Sequence, residues 1–89
     1  MSHFVLVRHK VRDFNTWKVA FDADRSKRTD AGLSETKLLR GAEDSNEVVL
    51  LMEAKDLNRA KALVTSPALR ETMQAAGVID KPDVYFLKD

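Results

Sequence analysis

Cysteine is absent, so no disulfide braces the chain, and two histidines without thiolates do not make a structural zinc site. His3 and His9 would lie roughly 20 Å apart along a strand, too far to share a metal. Only three glycines occur and they are scattered, which rules out a phosphate-cradling loop, and no serine stands in a nucleophile-elbow context. Charge of a single sign is missing too. Fifteen basic and fourteen acidic residues are interspersed along the chain, giving no positive stripe for nucleic acid or an anionic membrane. No apolar run approaches the roughly 20 residues of a membrane span, and the first residues lack the basic and apolar regions of a signal peptide. The expectation is a cytoplasmic protein with neither nucleic acid nor membrane as partner.

Eighty-nine residues make one domain, 1–89, and a chain this short buries only roughly 60 to 65% of its unfolded surface. With disulfides and a structural metal set aside, the remaining source of stability is self-association.

What the chain does have is a run of five apolar side chains, Val48 to Met52, inside Glu47 to Ala54. The run is too short for a helix core and lacks the alternation of a half-exposed strand, so it reads as a central strand covered on both faces. His3 to Val11 is a second such strand, with Val5, Val7, His9 and Val11 on one face and Phe4, Leu6, Arg8 and Lys10 on the other. Asp13 caps a helix from Phe14 to about Ala31 whose Phe14, Trp17 and Phe21 share a buried face that Ala20, Asp24 and Arg28 extend. Glu35 to Ala42 is a polar edge strand, with Gly41 as a bulge or close-approach point, and 43–46 form a hairpin turn. Asp56 caps a helix carrying Leu57, Ala60, Leu63 and Val64 on one side; Ser66 and Pro67 restart a helix that Gly77 ends; Val84 to Leu87 is the last strand.

Strand, helix, strand, strand, helix, strand predicts an α+β, ferredoxin-like βαββαβ fold: a four-stranded antiparallel sheet in order 4-1-3-2, helices on one face. The two most apolar strands then fall in the centre. Their helix-free face, which includes Phe4 and Leu6, needs a cover, and a homodimer packed sheet against sheet supplies it.

The whole chain resembles the dimeric α/β barrel superfamily, which includes small antibiotic-biosynthesis monooxygenases. Arg8-His9-Lys10-Val11-Arg12-Asp13-Phe14, with Trp17-Lys18 and Phe21-Asp22, is similar to a subgroup of short bacterial cyclase-like proteins without a defined reaction. Ser66-Pro67-Ala68-Leu69, Met73 and Ala76-Gly77-Val78 carry the same likeness. The resemblance implies a dimeric α/β barrel, no cofactor, and a cavity between helices and sheet for a small apolar compound. Cofactor-independent monooxygenases of the superfamily use an asparagine, a tryptophan and sometimes an arginine there. That set does not map onto Trp17 with Asn15, Asn46 or Asn58.

From the residues themselves, His9 is the candidate catalytic group, because an imidazole on an otherwise apolar strand face can act as a general base or hold a ligand. The plain alternative is a strand-end histidine bonded to a neighbour or to water. Trp17 and Phe21 are the candidate ligand-binding residues, the alternative being that aromatics at helical spacing are simple core. A tight connection at Arg12 and Asp13 should fold Trp17 back toward His9. Arg8 and Arg40 can pair with a substrate carboxylate or with surface acids, whereas Asp22 and Asp24 face different ways and form no paired-carboxylate site. Two functions remain: an enzyme or binder of a small apolar or aromatic compound, monooxygenase-like or cyclase-like, or a non-catalytic dimeric stress-related or regulatory module.

Overall fold

The five-residue apolar run lies at the heart of the sheet. In the computed structural model, which describes residues 2–89, it forms β3 (Glu47–Ala54), hydrogen-bonded on one side to β1 (His3–Lys10) and on the other to β2 (Leu33–Arg40). Strand β4 (Asp83–Lys88) completes an antiparallel sheet in the order β2-β3-β1-β4, the order expected from the sequence. Register sets His9 opposite Val48, Val7 opposite Leu50 and Val5 opposite Met52. These residues, with Val11, point to the helices and are buried.

Aspartate and serine caps start the helices as read. The Asp13 carboxylate accepts from the Thr16 amide at 3.0 Å and from its hydroxyl at 2.8 Å, opening α1 (Phe14–Ala23). Asp56 accepts from the Asn58 and Arg59 amides ahead of α3 (Leu57–Val64), and Ser66 from the Leu69 amide ahead of α4 (Pro67–Ala75). Proline at the first helical position of α4 has no amide to leave unpaired there.

The first helix differs from the expected single span. It stops at Ala23, turns through Asp24 and restarts as α2 (Arg25–Asp30). The Phe21 carbonyl, which would serve the next turn of a continuous helix, accepts instead from the Asp24 amide (3.2 Å) and Arg28 Nη1 (2.7 Å). A side chain has taken a place in the backbone ladder. Strand β2 also begins two residues earlier than expected, and its irregularity lies between Glu35 and Lys37 rather than at Gly41. Gly41 is the close-approach point instead: a Cβ there would stand 2.6 Å from the Asp44 carbonyl oxygen.

Two contacts fix the end of the sheet where β1 passes into α1. Asn46, in the β2–β3 turn, accepts from the Phe14 amide through Oδ1 (3.1 Å) and from the Val11 amide through its carbonyl (2.9 Å). Gly77, at φ 96°, lets the chain leave α4 and accept from the Arg12 amide at 2.7 Å, after which Val78 bridges Val11. The β1–α1 connection is thereby clamped between the hairpin turn and the exit of α4.

The helices cover one face only. On the other, β3 contributes Val49 and Leu51, β1 contributes Phe4 and Leu6, and Leu39, Tyr85 and Leu87 are exposed at 48%, 53% and 42%. Covering of β3 on both faces is thus met within this chain on the helix side alone: Val48, Leu50 and Met52 are buried, while Val49 and Leu51 are half-buried. Arg8 lies toward the end of the open face and is already paired, with Glu47 at 2.6 Å and Asp83 at 3.2 Å. No helix among the described residues is long and apolar enough to cross a membrane.

Candidate functional site

Strand alternation turns His9 toward the helices, and the clamp at Val11 to Phe14 brings α1 back over it. The imidazole and the Trp17 indole consequently meet, ring centroids 5.4 Å apart and planes tilted by 60°. Trp17 is 4% exposed and stacks on Phe21 (4.8 Å, 19°), with Phe14 on its other side at 5.8 Å. Guanidinium groups close both ends of this aromatic row: Arg28 lies 3.6 Å over Phe21 and Arg40 3.8 Å over Phe14.

Trp17, Phe21 and Arg28 of this row line a cavity of about 740 Å³ between helices and sheet, to which His9 also contributes. Val7, Leu50 and Met52 provide the sheet side, and Leu63, Leu69 and Met73 the helix side. None of the residues of α4 is fully buried, and with Leu69 and Met73 in the lining this helix forms an outer wall of the cavity. All three candidate residues thus stand in one place.

His9 is 2% exposed, and neither Nδ1 nor Nε2 has a hydrogen-bond partner. Sealed, unpaired polar atoms of this kind cost about 1–3 kcal/mol each, so the imidazole is under-satisfied at the cavity's edge. Burial pushes its pKa below the ordinary histidine value; the Asp80 carboxylate acts in the opposite sense and is outweighed. Unfolded chains therefore take up this proton at higher pH than folded ones, so stability falls as pH drops from the unfolded value toward the folded one. We expect the urea midpoint to decline on acidification below about pH 6.5, with His9→Gln flattening that decline. Trp17 emission should be quenched only toward the acid end of the same range, and not at all in His9→Gln. Quenching that survives the substitution would separate the indole from this imidazole.

Arg28 belongs to the site although sequence reasoning placed it only on the helix stripe. It is 9% exposed, donates to the Phe21 carbonyl and, through Nη2 at 3.1 Å, to Glu35 on β2. The available signal was an arginine on the same face as Phe14, Trp17 and Phe21. Arg8 and Arg40 serve otherwise: Arg8 pairs with acids on the open sheet face, and Arg40 donates to the Ser45 carbonyl. Asn46 is committed to holding the entry to α1. No group of three or more metal-ligating side chains occurs among the described residues.

No family model matches the chain, and no curated protein matches it. Solved structures do. SnoaB, a cofactor-independent oxygenase from Streptomyces nogalater, superposes with TM-score 0.75 at 13% identity, covering 99% of this chain and 92% of SnoaB. Rv0793 from Mycobacterium tuberculosis gives 0.68 at 18% identity, covering 100% and 95%. An antibiotic biosynthesis monooxygenase gives 0.64 at 12%, covering 98% and 97%. The chain has the ferredoxin-like fold of these structures, among them a cofactor-independent oxygenase and an antibiotic biosynthesis monooxygenase.

Proposed function

We propose that the protein is a cytoplasmic homodimer that takes a small apolar, aromatic compound into the cavity between its helices and sheet and acts on it as a cofactor-independent, monooxygenase-like enzyme. The observation that carries this reading is the neutral, unpaired His9 imidazole set against Trp17 at the edge of a 740 Å³ cavity. Once a shift of its ring opens one nitrogen to the cavity, a neutral imidazole in apolar surroundings can accept a proton from an acidic O–H or C–H of a seated ring compound, leaving an electron-rich carbanion or enolate. Such an anion reacts with dioxygen by giving up its own electrons, so a methylene would become a carbonyl with one water released. Trp17 and Phe21, whose faces are taken up by each other, Phe14 and Arg28, would meet the ring with their edges. A cyclase-like ring closure would begin with the same proton removal but consume no dioxygen. The open sheet face supports the dimer, since Phe4, Leu6, Leu51 and Tyr85 would each contribute roughly 1.5 to 3 kcal/mol on burial.

The test is dioxygen uptake with an anthrone, a fused tricyclic compound with an acidic methylene. We expect protein-dependent uptake that falls about a hundredfold or more in His9→Gln, the usual range for loss of a general base. Uptake unaffected by His9→Gln would refute the assigned role. One observation favours the second reading, a non-catalytic stress-related or regulatory module: both His9 nitrogens are closed to solvent. Saturable binding of the anthrone without turnover would support it.

A further inference from the structure

His9 and Arg28 are the only buried polar side chains among the described residues, and both line the cavity. Arg28 differs from His9 in being permanently charged. Burial pushes its pKa down against the opposing effect of Glu35, but an arginine keeps its charge. Its single carboxylate partner, Glu35, is 30% exposed against 11% for the Arg28 side chain, so compensation of the buried cation is shared with solvent. The two protein hydrogen bonds use two of the five guanidinium N–H donors. Arg28 Nε makes no protein hydrogen bond and is not among the sealed atoms, so this donor stays accessible to a ligand.

Charge around the cavity leans the same way. Lys27, Arg28, Arg70 and Lys81 line it against two carboxylates, Asp24 and Asp80. Asp24 is 3.7 Å from Lys27, and Asp80 accepts from the Lys10 amide at 2.8 Å. A positive surplus in an otherwise apolar cavity favours a ligand that brings negative charge.

We infer that the cavity selects amphiphilic anions: an apolar ring body lying along Phe21 and Trp17 toward His9, with a carboxylate or sulfonate held by Arg28. This inference rests on the proposal that the cavity binds a small apolar compound, and adds the charge of that compound. Glu35 is then a competitor, occupying part of the guanidinium that the ligand's anionic group needs.

Two probes with one skeleton separate these ideas: 1-anilinonaphthalene-8-sulfonate, an anion, and N-phenyl-1-naphthylamine, its neutral counterpart. Binding is read by energy transfer from Trp17, the sole tryptophan. We expect the anion to bind about tenfold or more tightly than the neutral probe, in line with charge-assisted hydrogen bonds. Arg28→Gln should bring the two within about twofold of each other. Glu35→Gln should act in the other direction, tightening the anion about threefold or more while leaving the neutral probe unchanged. Lys88→Gln, an exposed cation away from the cavity, should leave the ratio as it is. Equal binding of the two probes to the wild type, or a preference that survives Arg28→Gln in a folded variant, would overturn the inference while leaving the cavity reading intact. Should Arg28→Gln fail to fold, the wild-type ratio and Glu35→Gln decide, and no tightening in Glu35→Gln overturns it. Binding of neither probe overturns both.

Discussion

Leu6→Glu is expected to turn the proposed dimer into monomers. Register places Leu6 between Leu51 of β3 and Tyr85 of β4, in the middle of the face that the helices leave open. In a sheet-to-sheet dimer each copy would bury an unpaired carboxylate at this point, a loss of about 3–5 kcal/mol at each of two symmetric positions. The nearest cation on that face, Arg8, is already held by Glu47 and Asp83. Light scattering at micromolar concentration should report a dimer for the wild type and a monomer or unfolded chain for the variant. Phe4→Glu should act in the same direction. A wild type that is a stable, compact monomer at that concentration would remove the dimer from the account.

The second large effect is on Trp17. Its ring packs against His9, Phe14 and Phe21, and Trp17→Ala should destabilise the protein by about 3–5 kcal/mol. Domains of this size are stable by only about 5–15 kcal/mol, so much of the margin would go. Part of the effect reaches beyond the lost ring. Phe21 would lose the partner on which it stacks, and Arg28, seated on Phe21, would lose its platform. We expect a lower urea midpoint together with loss of binding of N-phenyl-1-naphthylamine, followed by the probe's own emission. Trp17→Phe should keep both the fold and the binding. A midpoint unchanged in Trp17→Ala would mean that the indole is not packed as described.

What was legible in the sequence were features set by local chemistry. The apolar run at Val48 to Met52 placed β3, since only a strand interior uses five such residues in sequence without helical periodicity. Ser66-Pro67 placed the start of α4 because cap and missing amide are properties of those two residues. The meeting of His9 and Trp17 followed from strand alternation, a short connection and the first turn of a helix. The break at Asp24 was not legible, because its cause is a tertiary bond: Arg28 takes the Phe21 carbonyl, and Glu35 on a different element holds the same guanidinium. The helical spacing of Phe14, Trp17 and Phe21 continues through Asp24 and Arg28, so spacing alone gives no sign of the break. The cavity was equally hidden. Its volume depends on how far α4 stands from the sheet, and Leu69 and Met73 look the same in sequence whether they fill a core or wall a space.

The central claim is that a small apolar ring compound sits between helices and sheet against His9 and Trp17. Intermolecular nuclear Overhauser effects between N-phenyl-1-naphthylamine and the protein's side chains test it most directly. The account predicts contacts from the probe's ring protons to the Trp17 indole, the Phe21 ring and the His9 imidazole carbons. Contacts confined to Phe4, Leu6 and Tyr85, on the open face of the sheet, would contradict it.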